Sequence, residues 1–530
     1  MTATSDETSP LLGRNTNHQS YNGNGPESDL SNVEQQDVEE PKKLSSYFIY
    51  VIPMAIGIFL TALDGTIVVS SYAAIGSDLK ELQKTSWIAT SYLLTLTSFQ
   101  HAALRKAQRY FWQKKLSLIR LRNFCDRLHV VRRCQKYERV DCQSCFPRDW
   151  WGRDANTCII NIVWSCGTSA GASLGGYLSD TIGWRWVFYI QFPLAVISAL
   201  SVYLFLSLPL PPTASSPDSD FKSKLRRIDF MGAATLVLAV FFLLLGFDRG
   251  GDIGWNNKLT VSLLVGFAIF AIGFGLVESY YAAEPLAPTR ITINRSLCAS
   301  YGVNFFGIAG AFAQLFHISL YLQAVLGKTA SETGAWLVIA VVSALIGSLS
   351  GGLIMQSTGK YYVLTCLAYV VLLMGTIFVL TGTGFMGLPR STVQVIAGLA
   401  LTALGNGSGI TTSLISLIAN AGQVDQAIAT AVSYLFRSLG SVIGLSIGST
   451  LVQTTLRSVL HRTLHGENVE EIVQRVRESL DYLKELDPDT QLIVRSAYGD
   501  AIDNVLIFSV SMAVAAMISS WFIIEKPLTR

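Results

Sequence analysis

Long apolar stretches, separated by shorter charged ones, make up most of this chain. A bilayer core of about 30 Å requires about 20 apolar residues per helix. Twelve stretches are candidate spans because of their length or their apolar composition. They lie near residues 48–71, 87–99, 159–178, 186–208, 230–247, 260–279, 297–322, 335–355, 361–382, 393–419, 428–452 and 504–524. The pattern predicts an all-α polytopic membrane protein.

The stretch 101–157 interrupts this pattern. It holds 14 Lys and Arg residues against 5 Asp and Glu residues, a net charge of +9. Each Arg or Lys at the bilayer centre costs about 2.5–3.5 kcal/mol on insertion scales. We therefore expect no part of 101–157 to span the membrane.

Positive residues lie in alternate short loops, as expected if both termini are cytosolic, because cytosolic loops carry an excess of Lys and Arg. These residues are Lys222, Lys224, Arg226, Arg227, Arg290, Arg295, Lys360, Lys526 and Arg530. The long loop at 453–503 then lies on the non-cytosolic side. The amphipathic spacing of Val469, Ile472, Val473, Val476 and Leu480 predicts a surface helix within it.

Composition agrees with a membrane protein and excludes other classes. Of 530 residues, 50% are hydrophobic and 15% are charged, whereas soluble proteins carry about 25% charged residues. A net charge of +3 gives no basis for binding nucleic acid. Because the chain has no phosphate-binding loop and no nucleophile elbow, we expect neither enzyme activity nor a cofactor.

Five potential zinc ligands lie within 101–157: Cys125, His129, Cys134, Cys142 and Cys145. Only the last two cysteines have ligand-like spacing, and a structural zinc site needs a second such pair. We predict no metal site.

Residues 1–44 are polar and lack the apolar residues needed for a core, which predicts a disordered cytosolic tail. Within it, Glu7, Leu11 and Leu12 form a segment, ETSPLL, that resembles the acidic dileucine signals read by sorting adaptors. A chance pair of leucines is the alternative interpretation.

Asp64, in the first span, is the strongest functional candidate. An ionisable residue within a span is costly, and it usually faces the bundle interior or a water-filled cavity. A carboxylate removed from water can take up and release a proton as access alternates between the two sides. The alternative is a structural bond between Asp64 and a neighbouring helix.

Other polar residues within spans are candidates for a substrate path: Arg437, Asn304, Gln314 and Gln323. Arg437 needs a partner at its depth, either a carboxylate of the chain or a substrate. The three amide residues do not form one stripe on a 3.6-residue helix, so some line the path and others bond between helices. Gly167, Gly171 and Gly175 recur every four residues and are followed by Gly176, a spacing that predicts close helix packing.

Several motifs together resemble those of a known family. Residues 63–68 read LDGTIV, 87–94 read WIATSYLL, 167–171 read GTSAG, 183–188 read GWRWVF, 321–323 read YLQ and 436–440 read FRSLG. They are similar to motifs of the fourteen-span drug:proton antiporters of the major facilitator superfamily. Within that group the chain most resembles the fungal vacuolar basic amino-acid transporters, over residues 45–100 and 158–525.

The resemblance implies a fold of two six-helix bundles with two extra central spans. The N-terminal bundle would occupy 45–208, a cytosolic loop 209–229, the extra spans 230–279 and the C-terminal bundle 280–530. It also implies proton antiport of basic amino acids into the vacuole, with Asp64 coupling the proton and the glycines at 167–176 forming the antiporter motif. The alternative is a plasma-membrane exporter of drugs or toxins.

Two features depart from the family pattern. Ala172 stands where many members have proline. The stretch 101–157 lacks both the GxL(S/A)DxxGRK loop and the third and fourth spans, so two of the six N-terminal helices are missing.

A shifted reading frame explains the second departure. Removing one base from permitted codons for 102–115 gives PLYGKLSDIFGRK, the missing loop motif, and the same shift at 146–154 permits FQGIGGGGM. Our hypothesis is that 101–157 is an out-of-frame translation, and that a chain carrying it as written is inactive. Sequencing the transcript across this stretch tests the hypothesis, and a cDNA that encodes these residues in frame would end it.

Overall fold

A computed structural model describes residues 44–85, 87–88, 91, 150–205, 230–281, 289–464 and 469–526. Of the first unit, residues 1–48, only 44–48 are described, and they are helical. Residues 49–530 form the second unit, to which all that follows applies. The tail motif at Glu7, Leu11 and Leu12, the potential zinc ligands and residues 101–149 lie outside the described residues.

The described ranges contain helices and their connections, with no β-strand among them. The long helices are α1 (Leu44–Asp78), α2 (Trp150–Thr181), α3 (Arg185–Phe205), α4 (Phe230–Asp252), α5 (Lys258–Leu276), α6 (Arg295–Leu320), α7 (Ala330–Thr358), α8 (Tyr362–Gly382), α9 (Thr392–Gly422), α10 (Ile428–Thr463), α11 (Val469–Glu478) and α12 (Pro488–Ser520). Short π-helical turns extend α5 over Val277–Tyr281 and α6 over Tyr321–Val325.

Within the described ranges, nine helical segments are long and apolar enough to cross a bilayer. They are Ala55–Asp78, Met231–Gly251, Lys258–Tyr280, Arg295–Val325, Ala330–Thr358, Tyr362–Gly382, Thr392–Gly422, Ile428–Thr463 and Pro488–Ser520. The all-α polytopic membrane class predicted from the sequence is therefore confirmed. Most of the predicted span at 87–99 lies outside the described part of the chain, as do residues 101–149, so the absence of two spans stays a prediction.

Three helices differ in extent from the apolar stretches that predicted them. α2 begins at Trp150, inside the stretch expected not to span. α10 continues to Thr463 and α12 begins at Pro488, so both reach into the predicted loop 453–503. The added residues are mostly polar. They still favour a helix, so the helices continue beyond the apolar stretches. The predicted surface helix is present as α11, with Val473 and Val476 buried.

Local sequence sets the ends of several helices. Thr329 and Glu332 form a reciprocal capping box that starts α7, and Gly359, at φ 68°, ends it. Asp487 caps α12, whose first residue is Pro488. Between α9 and α10 the chain breaks at Gly422, whose φ of 73° and ψ of 169° interrupt what is otherwise a continuous helix.

Glycines set the register of the C-terminal helices. Gly440 and Gly444 of α10 meet the backbone of α6 at Phe305 and Ala309, so these two helices run parallel. α12 runs antiparallel to α6, because Gly302 lies against Ser519 whereas Gly310 lies against Ser509. Without a hydrophobic force between helices in lipid, such close backbone approach supplies much of the packing energy.

Candidate functional site

The motif glycines of α2 form the contact surface for α1. Gly167 lies against the backbone of Phe59, Gly171 against that of Leu63, and Gly175 against that of Ile67. The two helices therefore run parallel, with matching steps of four residues. A Cβ on any of the three glycines would stand closer to α1 than side-chain atoms normally approach. Across the same contact the Thr66 hydroxyl donates a hydrogen bond to the Thr168 carbonyl, at 2.9 Å.

This packing positions Asp64. The residue follows Leu63 directly, so its side chain leaves α1 about 100° away from the glycine contact. Asp64 is 6% exposed and lies beside Gln191 of α3, which is 1% exposed. The acid is thus enclosed by α1 and α3, with the Gln191 amide close enough to donate a hydrogen bond to it.

The GWRWVF motif at 183–188 connects the start of α3 to the end of α1 through hydrogen bonds. Trp184 Nε1 and Arg185 each donate to the Asp78 carboxylate at 2.9 Å, and the Arg185 guanidinium lies 4.5 Å from the Trp184 ring centroid. Gly183 precedes them at φ 98°, a conformation that favours glycine. The motif therefore has a structural role in holding α1, α2 and α3 together at one end.

Several hydrogen bonds join the N-terminal helices α1–α3 to the C-terminal helices at the end where α1 finishes, which we call the distal side. Tyr72 donates to the Phe316 carbonyl and Ser319 donates to the Val69 carbonyl, both at 3.2 Å. The backbone N–H of Ser331, in the first turn of α7, donates to Asp180 at 2.7 Å.

Close packing and α11 reinforce the distal contact. Gly176 of α2 meets the backbone of Ala330, and Gly334 of α7 meets the carbonyl of Ala172. The N–H of Leu480, beyond α11, donates to the Ser77 hydroxyl at 2.9 Å. Ala172 thus stands at an inter-bundle contact, where its small side chain allows α7 to approach closely.

Asn304, a predicted path residue, bonds to neighbouring helices. Its Nδ2 donates to the Ser300 carbonyl at 2.8 Å and to the Ser433 hydroxyl at 3.3 Å, while its Oδ1 accepts from Ser413 at 3.4 Å. Because it is 3% exposed and bonded on both amide atoms, Asn304 joins α6, α9 and α10. Its polar capacity is used within the protein.

Arg437 lies on the face of α10 that meets α6, since Ser433, Gly440 and Gly444 share that face. Its guanidinium lies 5.3 Å from the centroid of the Tyr434 ring. Tyr369 of α8 is close enough to interact electrostatically with it. Arg437 is half-buried. No carboxylate of the described residues forms an ion pair with it.

Gln314 and Gln323 make fewer hydrogen bonds than Asn304. Gln323 is half-buried and donates to Ser319 at 3.3 Å. Gln314 is 1% exposed, and neither of its amide atoms has a hydrogen-bond partner in the described chain. It lies one turn after Gly310, which faces α12, and about 200° around the helix from Phe316, which faces α1. Gln314 therefore points into the C-terminal bundle, away from α1.

An unsatisfied buried amide predicts a gain in stability when it is removed. Substituting Gln314 by Met keeps the volume and removes two unpaired polar atoms, each of which costs about 1–3 kcal/mol when buried. We expect the purified Gln314→Met protein to unfold at a higher temperature than the unmodified protein, with uptake retained. Asn304→Leu is the matched control and is expected to unfold at a lower temperature. A lower melting temperature for Gln314→Met would show that its amide is satisfied.

Two residues of the site carried little signal in the sequence. Gln191 lies three residues after the GWRWVF motif, and only its burial beside Asp64 shows that it belongs to the site. Asp180, at the end of α2, reads as an ordinary loop acid, yet it caps a helix of the other bundle. The sequence signal that could have identified Gln191 is an amide residue within an apolar stretch, shortly after a motif.

Two helical bundles in contact, with a buried acid in the first helix, are features found in secondary transporters. The profile of the Major Facilitator Superfamily matches residues 151–445 of the chain. The chain belongs to this superfamily, and it is an integral membrane transporter. The match begins at residue 151, near the end of the charged stretch 101–157.

Two fungal relatives match most of the chain. The vacuolar membrane amino acid uptake transporter fnx2 of Schizosaccharomyces pombe is 30% identical over 95% of this chain and 90% of its own length. The multidrug resistance protein fnx1 of the same organism is 30% identical over 84% of this chain and 86% of its own. The family resemblance seen in the motifs is confirmed by these matches.

The fold is similar to that of a solved transporter. The crystal structure of an auto-inhibited peptide transporter of the POT family superposes with a TM-score of 0.54, at 14% sequence identity. The match covers 90% of this chain and 96% of that one. At this identity the likeness concerns the fold alone.

Proposed function

We propose that this protein is a proton antiporter that moves basic amino acids from the cytosol into the vacuole. Asp64, buried in α1 against α3, is the observation that carries the proposal, because antiport of protons needs a titratable group within the membrane. The similarity to the amino acid uptake transporter fnx2 supports an amino acid substrate. The motif resemblance to vacuolar basic amino-acid transporters supports a basic one.

The distal contacts support a direction of access. With both termini cytosolic, α1 ends on the non-cytosolic side, so the distal side is the vacuolar side. In this proposal the hydrogen bonds from Tyr72, Ser319 and Ser331 hold the vacuolar side closed, so that the substrate enters from the cytosol. Rocking of one bundle against the other would break these bonds and open the path to the vacuole.

The substrate path in this proposal runs between the bundles, with Asp64 on one side and Arg437 on the other. Gln323, half-buried and bonded only through Nε2, lies near its vacuolar end. Asn304 supports the path by joining α6, α9 and α10. Gln314 points away from α1, and its role is tested by the stability experiment above.

Uptake of labelled lysine into isolated vacuoles tests the proposal. The protein is expressed from the sequenced transcript, which fixes residues 101–157, in cells that lack endogenous vacuolar lysine uptake. We expect uptake that requires an acidic vacuole and stops when a protonophore collapses the gradient. Uptake equal to that of vacuoles without the protein would contradict the proposal.

An exporter of drugs at the plasma membrane is the second candidate, favoured by the similarity to the multidrug resistance protein fnx1. Vacuolar lysine uptake without any change in drug resistance excludes it. Drug resistance without lysine uptake establishes it instead.

The tail motif supports the vacuolar location. We expect a tagged protein to lie in the vacuolar membrane, and the double substitution Leu11→Ala with Leu12→Ala to shift it to the plasma membrane, because adaptors read both leucines. Replacing the neighbouring Thr8 and Ser9 by Ala is the matched control and should leave the location unchanged. An unchanged location of the dileucine variant would show that the pair is incidental.

A further inference from the structure

The spans around Arg437 contain almost no acid. Between residues 295 and 463 the sequence has only two acidic residues, Glu332 and Asp425. Glu332 caps the start of α7 on the vacuolar side, and Asp425 lies 12 residues before Arg437 in the connection between α9 and α10. On α12, Asp503 is bonded to Thr383 on the vacuolar side. The C-terminal bundle therefore offers Arg437 no carboxylate at its own depth.

Polar side chains gather at that depth. Arg437 and Asn304 each lie nine residues after the start of their parallel helices, about 14 Å along the axis. Ser413 lies nine residues before the end of the antiparallel α9, at the same level. Asn304 bonds both Ser413 and Ser433, and Tyr369 lies next to Ser413 and within range of Arg437. We call Arg437, Tyr369 and Asn304, with the two serines, the arginine cluster.

The bonds within the arginine cluster leave the cation free. Asn304 and Ser413 bond to each other and to the helix backbone. Arg437 lies over the face of Tyr434 and has five N–H donors, and no carboxylate of the described residues forms an ion pair with it. An arginine within a span is retained at considerable cost unless an anion reaches it. Because Arg437 is half-buried, a ligand of the path can do so.

We infer that Arg437 binds the α-carboxylate of the transported amino acid, with the arginine cluster holding its guanidinium in place. This inference rests on the proposed function and names the group of the substrate that the C-terminal bundle recognises. A planar guanidinium matches a carboxylate with two parallel hydrogen bonds. The cationic side chain of the substrate then points away from Arg437, toward the bundle that contains Asp64.

Lysine and two analogues without its carboxylate test the inference. Pentane-1,5-diamine keeps both amines of lysine but has no carboxylate, and lysine amide has a neutral amide in its place. Binding is measured as the ligand-induced rise in melting temperature of the purified full-length protein, which depends on ligand concentration and affinity. We expect the unmodified protein to bind lysine about 10- to 100-fold more tightly than the diamine or the amide. Equal binding of the three would overturn the inference.

Substitution of the arginine adds a second test. Arg437→Gln should lower the affinity for lysine to that for the diamine and leave the affinity for the diamine unchanged. Arg437→Lys keeps the charge but loses the paired hydrogen bonds, so an intermediate preference for lysine is expected. Arg462→Gln removes one charge from the exposed last turn of the same helix and should change neither affinity.

The outcomes separate this inference from the proposed function. If the unmodified protein binds neither lysine nor the diamine, the proposed function fails, and the inference fails with it. If the protein binds lysine, but Arg437→Gln lowers the affinity for lysine and for the diamine by the same factor, then Arg437 has a structural role and only the inference is overturned. If Arg437→Gln does not fold, the comparison of the three ligands on the unmodified protein decides.

Discussion

Replacing Asp64 by Asn is expected to reduce proton-driven lysine uptake to the level of vacuoles that lack the protein. The amide keeps the size and polarity of the side chain beside Gln191, so packing against α3 is preserved. What is lost is the only acid in the apolar part of α1, and with it the group that we propose to exchange the proton. Asp64→Glu retains the carboxylate and should retain partial uptake. Uptake is measured in vacuoles with and without a pH gradient.

A second readout separates proton coupling from folding. Exchange of labelled for unlabelled lysine across the membrane needs binding and rocking but no net proton movement, so Asp64→Asn should retain it. Asp78→Asn is the matched control on the same helix. Asp78 is exposed and accepts from Trp184 and Arg185. Because Asn keeps an oxygen that can accept from these donors, and exposed ion pairs add little to stability, uptake should stay within about fivefold of normal. Proton-driven uptake by Asp64→Asn would show that another group carries the proton.

Much of the fold could be predicted because lipid imposes a simple requirement. A span must be apolar over its length, so the stretches near 230–247 and 361–382 identify α4 and α8 to within a few residues at most ends. The requirement ends at the membrane surface. The polar ends of α10 and α12, at Thr463 and Pro488, were therefore predicted as loop. Helices that leave the bilayer obey ordinary propensity and capping instead.

The candidate site was less predictable, because hydropathy locates a residue in depth but not around the helix axis. Asn304 and Gln314 are both amides of one span, yet Asn304 bonds to two other helices and Gln314 has no partner in the described chain. Their different surroundings follow from which helix each one faces. Those neighbours are set by glycine contacts such as Gly440 with Phe305, which no periodicity in α6 reveals.

Close glycine packing occurs within the bundles and also between them. Within the N-terminal bundle, glycines allow the backbones of α1 and α2 to touch over several turns. Between the bundles, Gly176 and Gly334 bring α2 and α7 together, and hydrogen bonds from Tyr72, Ser319 and Ser331 add to the contact at the vacuolar side in the proposed orientation. Each such bond contributes about 0.5–1.5 kcal/mol. In the proposed mechanism these hydrogen bonds break as the bundles rock.

Replacing Gly171 by Ala is expected to lower the amount of assembled transporter sharply, and Gly171→Val to abolish it. The new Cβ would overlap the Leu63 carbonyl and the Thr66 hydroxyl, and the backbone cannot move aside as a flexible side chain can. Overpacking costs about 1–3 kcal/mol or more where the surroundings cannot adjust. Separating α1 from α2 also stretches the hydrogen bond from Thr66 to Thr168 and displaces the neighbouring Asp64.

The matched control for Gly171→Ala is Gly352→Ala, in the last third of α7. A Cβ at Gly352 meets nothing within 4 Å, so only helix propensity changes, which favours Ala by about 1 kcal/mol. Melting temperature and the yield of monodisperse protein should fall for Gly171→Ala and stay level or rise for Gly352→Ala. Since lipid gives no hydrophobic force between helices, α1 and α2 associate through packing and hydrogen bonds alone. A Gly171→Val protein with normal yield and normal uptake would mean that α1 does not need this contact, and Asp64 would then have to be positioned by α3 alone.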